Sequence, residues 1–402
     1  MADDLPMPEA ASMAYASILE RAESLLPALR ARAALTEASR ETPQETLADL
    51  HQAGLFRCLQ PRRVGGGEFD YVALVDIAAV LARADASVAW VFGNLASHHW
   101  MLAMFPPTAQ DAVWSEDRDA LIASAFVFPA GRAVRVAGGY RLSGKWPFSS
   151  GVGPSAWNMV GAVVAPQDEA EGAEYRIFLI HKREYEILDT WHVAGLAGTG
   201  SNDIACRDVF VADHMTLGVR DVAGGPTPGA GLNPNPLYRI PVFALFPFVL
   251  SGAALGNAQG CLDDFVEEAG KRASRYNQAK LSDYQSIQIR IAAAGAKIDA
   301  ARLLMRAACV EAMEDAARGV IPSIKDKTRY RRDGAFAVGL CTEAVDTLFA
   351  VGGAGALYTG ATLQRRFRDA HAINSHIAFS FDAAGANFGR VALGFPSENV
   401  TL

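Results

Sequence analysis

The sequence predicts an α+β protein, mostly α, built as helices, then strands, then helices again. Three observations predict this. Apolar residues recur at helical spacing up to about residue 119 and again beyond residue 224. Short alternating segments with no helical stretch among them lie between. The Pro/Gly-rich run Gly224–Pro236 then marks the clearest boundary in the chain. The expected division is an N-terminal helical domain, 1–119, a central antiparallel β domain, 120–223, and a C-terminal helical bundle, 224–402. A chain of 402 residues exceeds what one core usually organises.

In the first part, Ala14–Ala34 is rich in Ala, Leu and Arg at helical spacing. Thr42-Pro-Gln-Glu45 has the capping-box pattern with Pro at the first helical position, and Gly54 stands where that helix should stop. Asp70 is placed to cap a helix running to about Ala84. Ser87 or Asp85 caps the next, which Pro106-Pro107 closes. On it Trp90, Asn94 and His98 follow at i+4 and share one stripe, a pattern that fits a site wall. It equally fits a core histidine, His98 or His99, bonded to a carbonyl.

In the second part, Leu121–Phe128 reads as a buried strand carrying Ser124. Arg132–Val136 and Tyr140–Ser143 form a hairpin about Gly138-Gly139, and four further strands end at Val211. This spacing indicates an antiparallel barrel or sandwich rather than βαβ units. Two dense stretches stand out. Gly144-Lys-Trp-Pro-Phe-Ser-Ser-Gly-Val-Gly153 reads as a loop between strands that brings aromatics, hydroxyls and close backbone to a flat ligand. Asp189-Thr-Trp-His-Val-Ala-Gly-Leu-Ala-Gly-Thr-Gly-Ser201 is similar but lacks the G-x-G-x-x-G spacing, and it reads equally as a plain β connection.

In the third part, helices are expected over Phe243–Gly270, Asp283–Arg318, Asp333–Val351 and Asn374–Leu393, four in a bundle. Gly252, Ala253, Gly256 and Ala258 permit close packing, and the apolar faces favour an oligomer. Arg365, Arg366 and Arg368 form a basic cluster suited to a solvated surface or a ligand phosphate.

A net charge of -7 argues against a general nucleic-acid binder. Cys58, Cys206, Cys261, Cys309 and Cys341 are dispersed, which fits reduced thiols in the cytoplasm and offers no metal-ligand spacing. The acidic N-terminus does not read as a signal peptide. The apolar window Val242–Leu255 reads as too short, and too broken by Pro247 and Gly252, to span a bilayer.

Helices, a small β-barrel and a four-helix bundle, in that order, resemble the acyl-CoA dehydrogenase fold. Gly144–Gly151, Asp189–Ser201, Gly352-Gly-Ala-Gly355 and Arg368-Asp369 followed by His376 resemble one branch of it: the oxygenase components of two-component flavin-dependent monooxygenases. The resemblance implies reduced FMN or FAD delivered by a separate flavin reductase, O2 as co-substrate, and a C4a-hydroperoxyflavin that hydroxylates an aromatic or similar electron-rich molecule. With the dispersed cysteines and the apolar helix faces, the expectation is a cytoplasmic homotetramer. By position, Ser149 or Ser150 resembles the hydroxyl near flavin N5, with Trp146 and Phe148 shaping the site. His98 resembles the histidine facing substrate, with Ser124 as its neighbouring hydroxyl. Trp90 resembles a wall aromatic, and His376 the histidine over the reacting flavin carbon. Arg275 resembles a phosphate ligand reaching in from a neighbouring subunit, and Gly352 and Gly353 fall to the cofactor. Arg239 and Phe243 lie in an aromatic segment expected to line the substrate pocket. The competing reading is an acyl-CoA dehydrogenase or oxidase, which needs a carboxylate base. The last helical region offers only Asp382. A third reading is an oligomer that only binds flavin or a partner protein.

Overall fold

The structure, a computed structural model, describes residues 9–166, 172–271 and 280–402. Six helices come first: α1 (Glu9–Ser24), α2 (Leu26–Ser39), α3 (Gln44–Gln52), α4 (Val72–Ala82), α5 (Ala86–Leu102) and α6 (Pro107–Trp114). The Asp85 carboxylate caps α5 by accepting from Ser87 N at 2.8 Å and Val88 N at 3.2 Å, so of the two expected caps the aspartate serves. The Thr42 capping box does not form. Pro43 takes the cap position without a side-chain bond, and the Thr42 hydroxyl donates instead to Gly198 O, 3.2 Å away. Nor does Asp70 cap α4, whose N-cap is Tyr71.

Eight strands follow: β1 (Ile122–Ala125), β2 (Gly131–Val136), β3 (Gly139–Ser149), β4 (Trp157–Val164), β5 (Glu174–His181), β6 (Glu186–Leu188), β7 (Asn202–Ala212) and β8 (Thr216–Gly218). Their order in the sheet is β6-β7-β3-β2-β4-β5-β8, with β1 beside β4. The pairing is antiparallel except that β1 and β2 each run parallel to β4. The second exception follows from connectivity. The β2–β3 hairpin reverses the chain once and the turn after β3 reverses it again, so β4 returns along the free edge of β2 in the same direction.

Five helices complete the chain: α7 (Val242–Lys271), α8 (Gln285–Ala317), α9 (Ile324–Phe349), α10 (Thr362–Asn374) and α11 (Phe381–Ala392). Buried α4 and α5 both pack on α7. The approach is so close that a Cβ on Gly256 would lie 2.0 Å from Ala79 O, which explains the small residues along that face. Pro247 does not break α7. By length and composition α7 passes for a membrane span, yet 89% of its apolar window is buried inside the fold. The helix expected from Asn374 to Leu393 starts only at Phe381, and Asn374 instead ends α10, a helix the sequence reading does not contain. Ser375-His376 and the turn Ile377–Phe379 lie between α10 and α11.

Candidate active site

Where α5, the ends of β1 and β3, the 191–201 segment, α7 and the α10–α11 break converge, they enclose a cavity of about 890 Å³. A volume of this size suits a cofactor together with a small substrate. Trp90, Ser124, Phe148, Ser150 and His376 of the sequence-predicted set line it.

The floor comes from the end of β3. Gly144–Ser149 is strand rather than loop, but its register against β7 shifts between Leu142 and Gly144 and again between Trp146 and Ser149. Phe148 takes φ +67°, a costly value for a residue with a Cβ. This bulge re-aims the three side chains that follow Pro147. Phe148 turns out to face Trp191 edge-on at 6.4 Å, Ser149 turns inward, and Ser150 faces the cavity. The Ser149 Oγ accepts from Asn158 Nδ2 at 2.8 Å, within the sheet. Ser150 Oγ accepts from Trp90 Nε1 at 3.0 Å and lies 2.8 Å from Ser201 Oγ. Trp146, expected to shape the site, is buried in the sheet interior with its Nε1 donating to Gly161 O at 2.6 Å, and it does not reach the cavity.

The two histidines carry opposite tautomers. His98 Nδ1 lies 2.6 Å from Ile122 O, a pure acceptor, so that nitrogen holds the proton and Nε2 is bare. His376 Nδ1 accepts from Ala378 N at 3.1 Å, so its proton sits on Nε2. Burial pushes both rings down to about 4, with the Arg331 charge adding to the effect at His376, and both are neutral at pH 7. His376 lines the cavity, edge-on to Trp90 and stacked on Phe246. His98 stands one layer back, edge-on to Phe126, which does line it.

Phe243 also stands one layer back, edge-on to Phe126 at 5.7 Å and stacked on Phe246 at 6.4 Å. Arg239 ends the turn before α7 and is not among the lining residues. Gly352 and Gly353 lie in the turn after α9, Gly352 close against Leu363 and Ala356, and both are likewise outside the cavity wall. Arg275 lies outside the described residues. Within the arginine cluster the structure separates Arg366, which is buried and bonded inside the fold, from Arg368, which lines the cavity. Buried Arg366 donates to Asp264 at 2.8 Å and to Ala82 O and Arg83 O at 3.1 and 2.6 Å, closing the C-terminal end of α4. Arg368 pairs with Glu37 and donates to Ala194 O.

Four further residues carry no role in the sequence expectations: Trp191, Leu196 and Ser201 of the second dense stretch, and His371. All four line the cavity. Two hydroxyls at i and i+2, Thr199 and Ser201, were the available signal.

Acyl-CoA dehydrogenase, N-terminal domain, matches residues 17–116, and Acyl-CoA dehydrogenase, C-terminal domain, matches residues 248–381. The chain is 35% identical over 379 residues to the flavin-dependent monooxygenase, oxygenase subunit HsaA, of Rhodococcus jostii, covering 94% of this chain and 98% of that protein. It is 36% identical over 391 residues to the FADH(2)-dependent resorcinol hydroxylase, oxygenase component, of a Rhizobium species, covering 94% and 95%. The structure of XiaF from a Streptomyces species, in complex with FADH2 and glycerol, superposes with a TM-score of 0.89 at 26% identity, covering 98% of this chain and 99% of XiaF. The fold is thus that of the acyl-CoA dehydrogenases. Within it, the chain belongs to the oxygenase components of two-component flavin-dependent monooxygenases.

The residues present fit a reduced flavin. Trp90, Trp191 and Phe148 supply flat apolar surface, and Ser150 and Ser201 place buried hydroxyls at one edge of it.

Proposed function

We propose that this cavity holds a reduced flavin beside a phenol-type aromatic ring, and that the enzyme adds one oxygen atom of O2 to that ring. The observation that carries the reading is the make-up of the wall. Among the described residues it contains two imidazoles and several hydroxyls but no carboxylate. Asp382, the one candidate base for acyl-CoA dehydrogenation near the last helices, is exposed on α11. Removal of an α proton therefore has no carboxylate here, while hydroxylation asks only for groups that hold or move protons around oxygen.

When bound, the reduced flavin supplies the two electrons that let O2 deliver one atom to the ring and leave the other as water. The chain contributes the rest. Ser124, in the wall on β1, is the polar partner for a phenolic hydroxyl, and bare Nε2 of His98 stands one layer behind it as an acceptor that a shift of Phe126 would bring within reach of the phenolic proton. The Nε2–H of His376 is a donor that steadies an oxygen without transferring a full charge. The aromatic walls exclude water. A separate reductase supplies the flavin, as the family's two-component organisation implies, and the five free cysteines accord with a cytoplasmic setting.

Self-association, as a homotetramer, completes the proposal. Leu357, Tyr358, Ile377, Leu393 and Phe395 are all more than half exposed, and the amphipathic α11 buries none of its residues. Ile377 also lines the cavity, so a neighbouring subunit would close it. A monomer mass by light scattering would contradict this part.

Labelled O2 tests the reaction directly. Turnover of a phenol panel with reduced flavin should place one labelled atom in a product. Unlabelled products, or bleaching of oxidised flavin by an acyl-CoA, would reverse the reading.

A further inference from the structure

Behind Ser150 runs a chain of buried hydroxyls. Ser150 Oγ lies 2.8 Å from Ser201 Oγ, which lies 2.6 Å from Thr199 Oγ1, which lies 2.9 Å from Leu196 O. The last member is a carbonyl and can only accept. Two oxygens at that distance with no hydrogen between them repel, so the Thr199 hydrogen lies on the Leu196 contact. Each hydroxyl carries one hydrogen. Ser201 must then donate to Thr199, and Ser150 to Ser201. Trp90 Nε1–H already points at Ser150 Oγ. Ser150 is left with an oxygen lone pair toward the cavity and no hydrogen to offer.

The end of the chain is held firmly. Leu196 sits in the left-handed region, φ +53°, and its carbonyl also accepts from Trp191 Nε1 at 3.1 Å. Its N–H donates to the buried Asp369 carboxylate at 2.7 Å, while Arg368 donates to Ala194 O at 2.5 Å. Between these two ties, a Cβ on Gly195 would lie 2.3 Å from Arg368 O, so the segment lies flat on α10. The Arg368-Asp369 pair thus clamps the segment whose carbonyl orients the hydroxyls.

We infer that Thr199, Ser201 and Asp369 are positioning residues that fix Ser150 as a hydrogen-bond acceptor, and that this polarity makes the cavity prefer reduced over oxidised flavin. The inference rests on the flavin reading above. The reduced isoalloxazine presents an N–H at N5 where the oxidised ring presents a lone pair. An acceptor fixed in advance matches the first and repels the second.

The test is the ratio of dissociation constants for oxidised and reduced flavin, measured anaerobically for the reduced form. Wild type should favour the reduced form. Ser201→Ala frees the Ser150 hydrogen to turn toward the cavity, and Thr199→Val releases Ser201; each should narrow the ratio about tenfold, the scale of one buried hydrogen bond lost or reversed. Ser201→Thr keeps the hydroxyl and should restore the ratio. Asp369→Asn keeps an acceptor for Leu196 N–H and should match wild type, whereas Asp369→Ala should narrow the ratio. A general packing defect would weaken both forms together and leave the ratio where it was, which overturns the inference. So would a wild-type ratio in both Ser201→Ala and Thr199→Val. Wild type binding neither form would overturn the flavin reading itself.

Discussion

The imidazole of His376 stands edge-on to the indole of Trp90, with ring centroids 5.5 Å apart and planes at 70°. One ring comes from near the N-terminal end of α5 and the other from the break between α10 and α11, so the contact joins the first and last helical regions across the cavity. It also ties the histidine to the serine, because Trp90 Nε1 donates to Ser150. An edge-on contact of this kind fixes orientation while adding little energy of its own.

His376→Ala should therefore leave the rest of the wall in place and remove the Nε2–H proposed to steady an oxygen. Product formation should fall on the order of 100-fold, the usual worth of a positioned proton donor, while the reduced-flavin dissociation constant changes little. Hydrogen peroxide should account for the O2 consumed. Unchanged coupling between O2 uptake and product would remove His376 from the reaction.

The adjacent serines should separate cleanly. Ser150→Ala leaves Trp90 Nε1 without its acceptor and should weaken reduced-flavin binding about tenfold. Ser149→Ala instead leaves Asn158 Nδ2 unmatched inside the sheet, where Asn158 Oδ1 already lacks a partner. It should cost about 1–3 kcal/mol of stability with little change in flavin affinity. Calorimetry and flavin titration on both variants would contradict the assignment if the effects were exchanged.

Buried neutral imidazoles make stability depend on pH. His376 stays unprotonated in the fold down to about 4, whereas an unfolded histidine titrates near 6.5. Below 6.5 the unfolded chain binds the extra proton, so this contribution is complete above that value and is lost as pH falls through 4. Asp369, which burial pushes up to about 7, works in the opposite sense, losing stability as pH rises toward 7. A comparison with His376→Gln isolates the first effect. Between about pH 7 and pH 5 wild type should lose about 2 kcal/mol more than the variant in urea unfolding. Parallel losses would contradict a neutral buried His376.

Arg366 is a matter of folding rather than of ligand. Arg366→Met should leave Asp264 unpaired and two carbonyls at the end of α4 exposed to an apolar neighbour, at a cost of about 3 kcal/mol. Flavin affinity measured well below the melting temperature should be unchanged. A selective loss of affinity would return the residue to the phosphate site.

The order of the elements was legible because periodicity changes from helical to alternating near Ala120 and back after Pro236. The site was legible in part. Ser150 and His376 were named, but alternation along β3 puts Trp146, Phe148 and Ser150 on one face. The structure separates them, because the bulge and the positive φ at Phe148 restart the count. No residue type announces that bulge. The late start of α11 is hidden for a similar reason: no glycine or proline marks the turn before it, which His376 caps by accepting from Ala378 N. Thr42 was misread because its tertiary partner, Gly198 O, outcompetes a local cap. Arg366 read as surface because a buried arginine becomes intelligible only once the carbonyls it serves are in place.

The most direct measurement of the central claim is rapid mixing of the protein and reduced flavin with oxygenated buffer, followed by absorbance. The account predicts a species distinct from both reduced and oxidised flavin, outlasting the free-flavin reaction and shortened in Ser150→Ala. Direct reoxidation at the rate of free flavin, identical in wild type and Ser150→Ala, would contradict it.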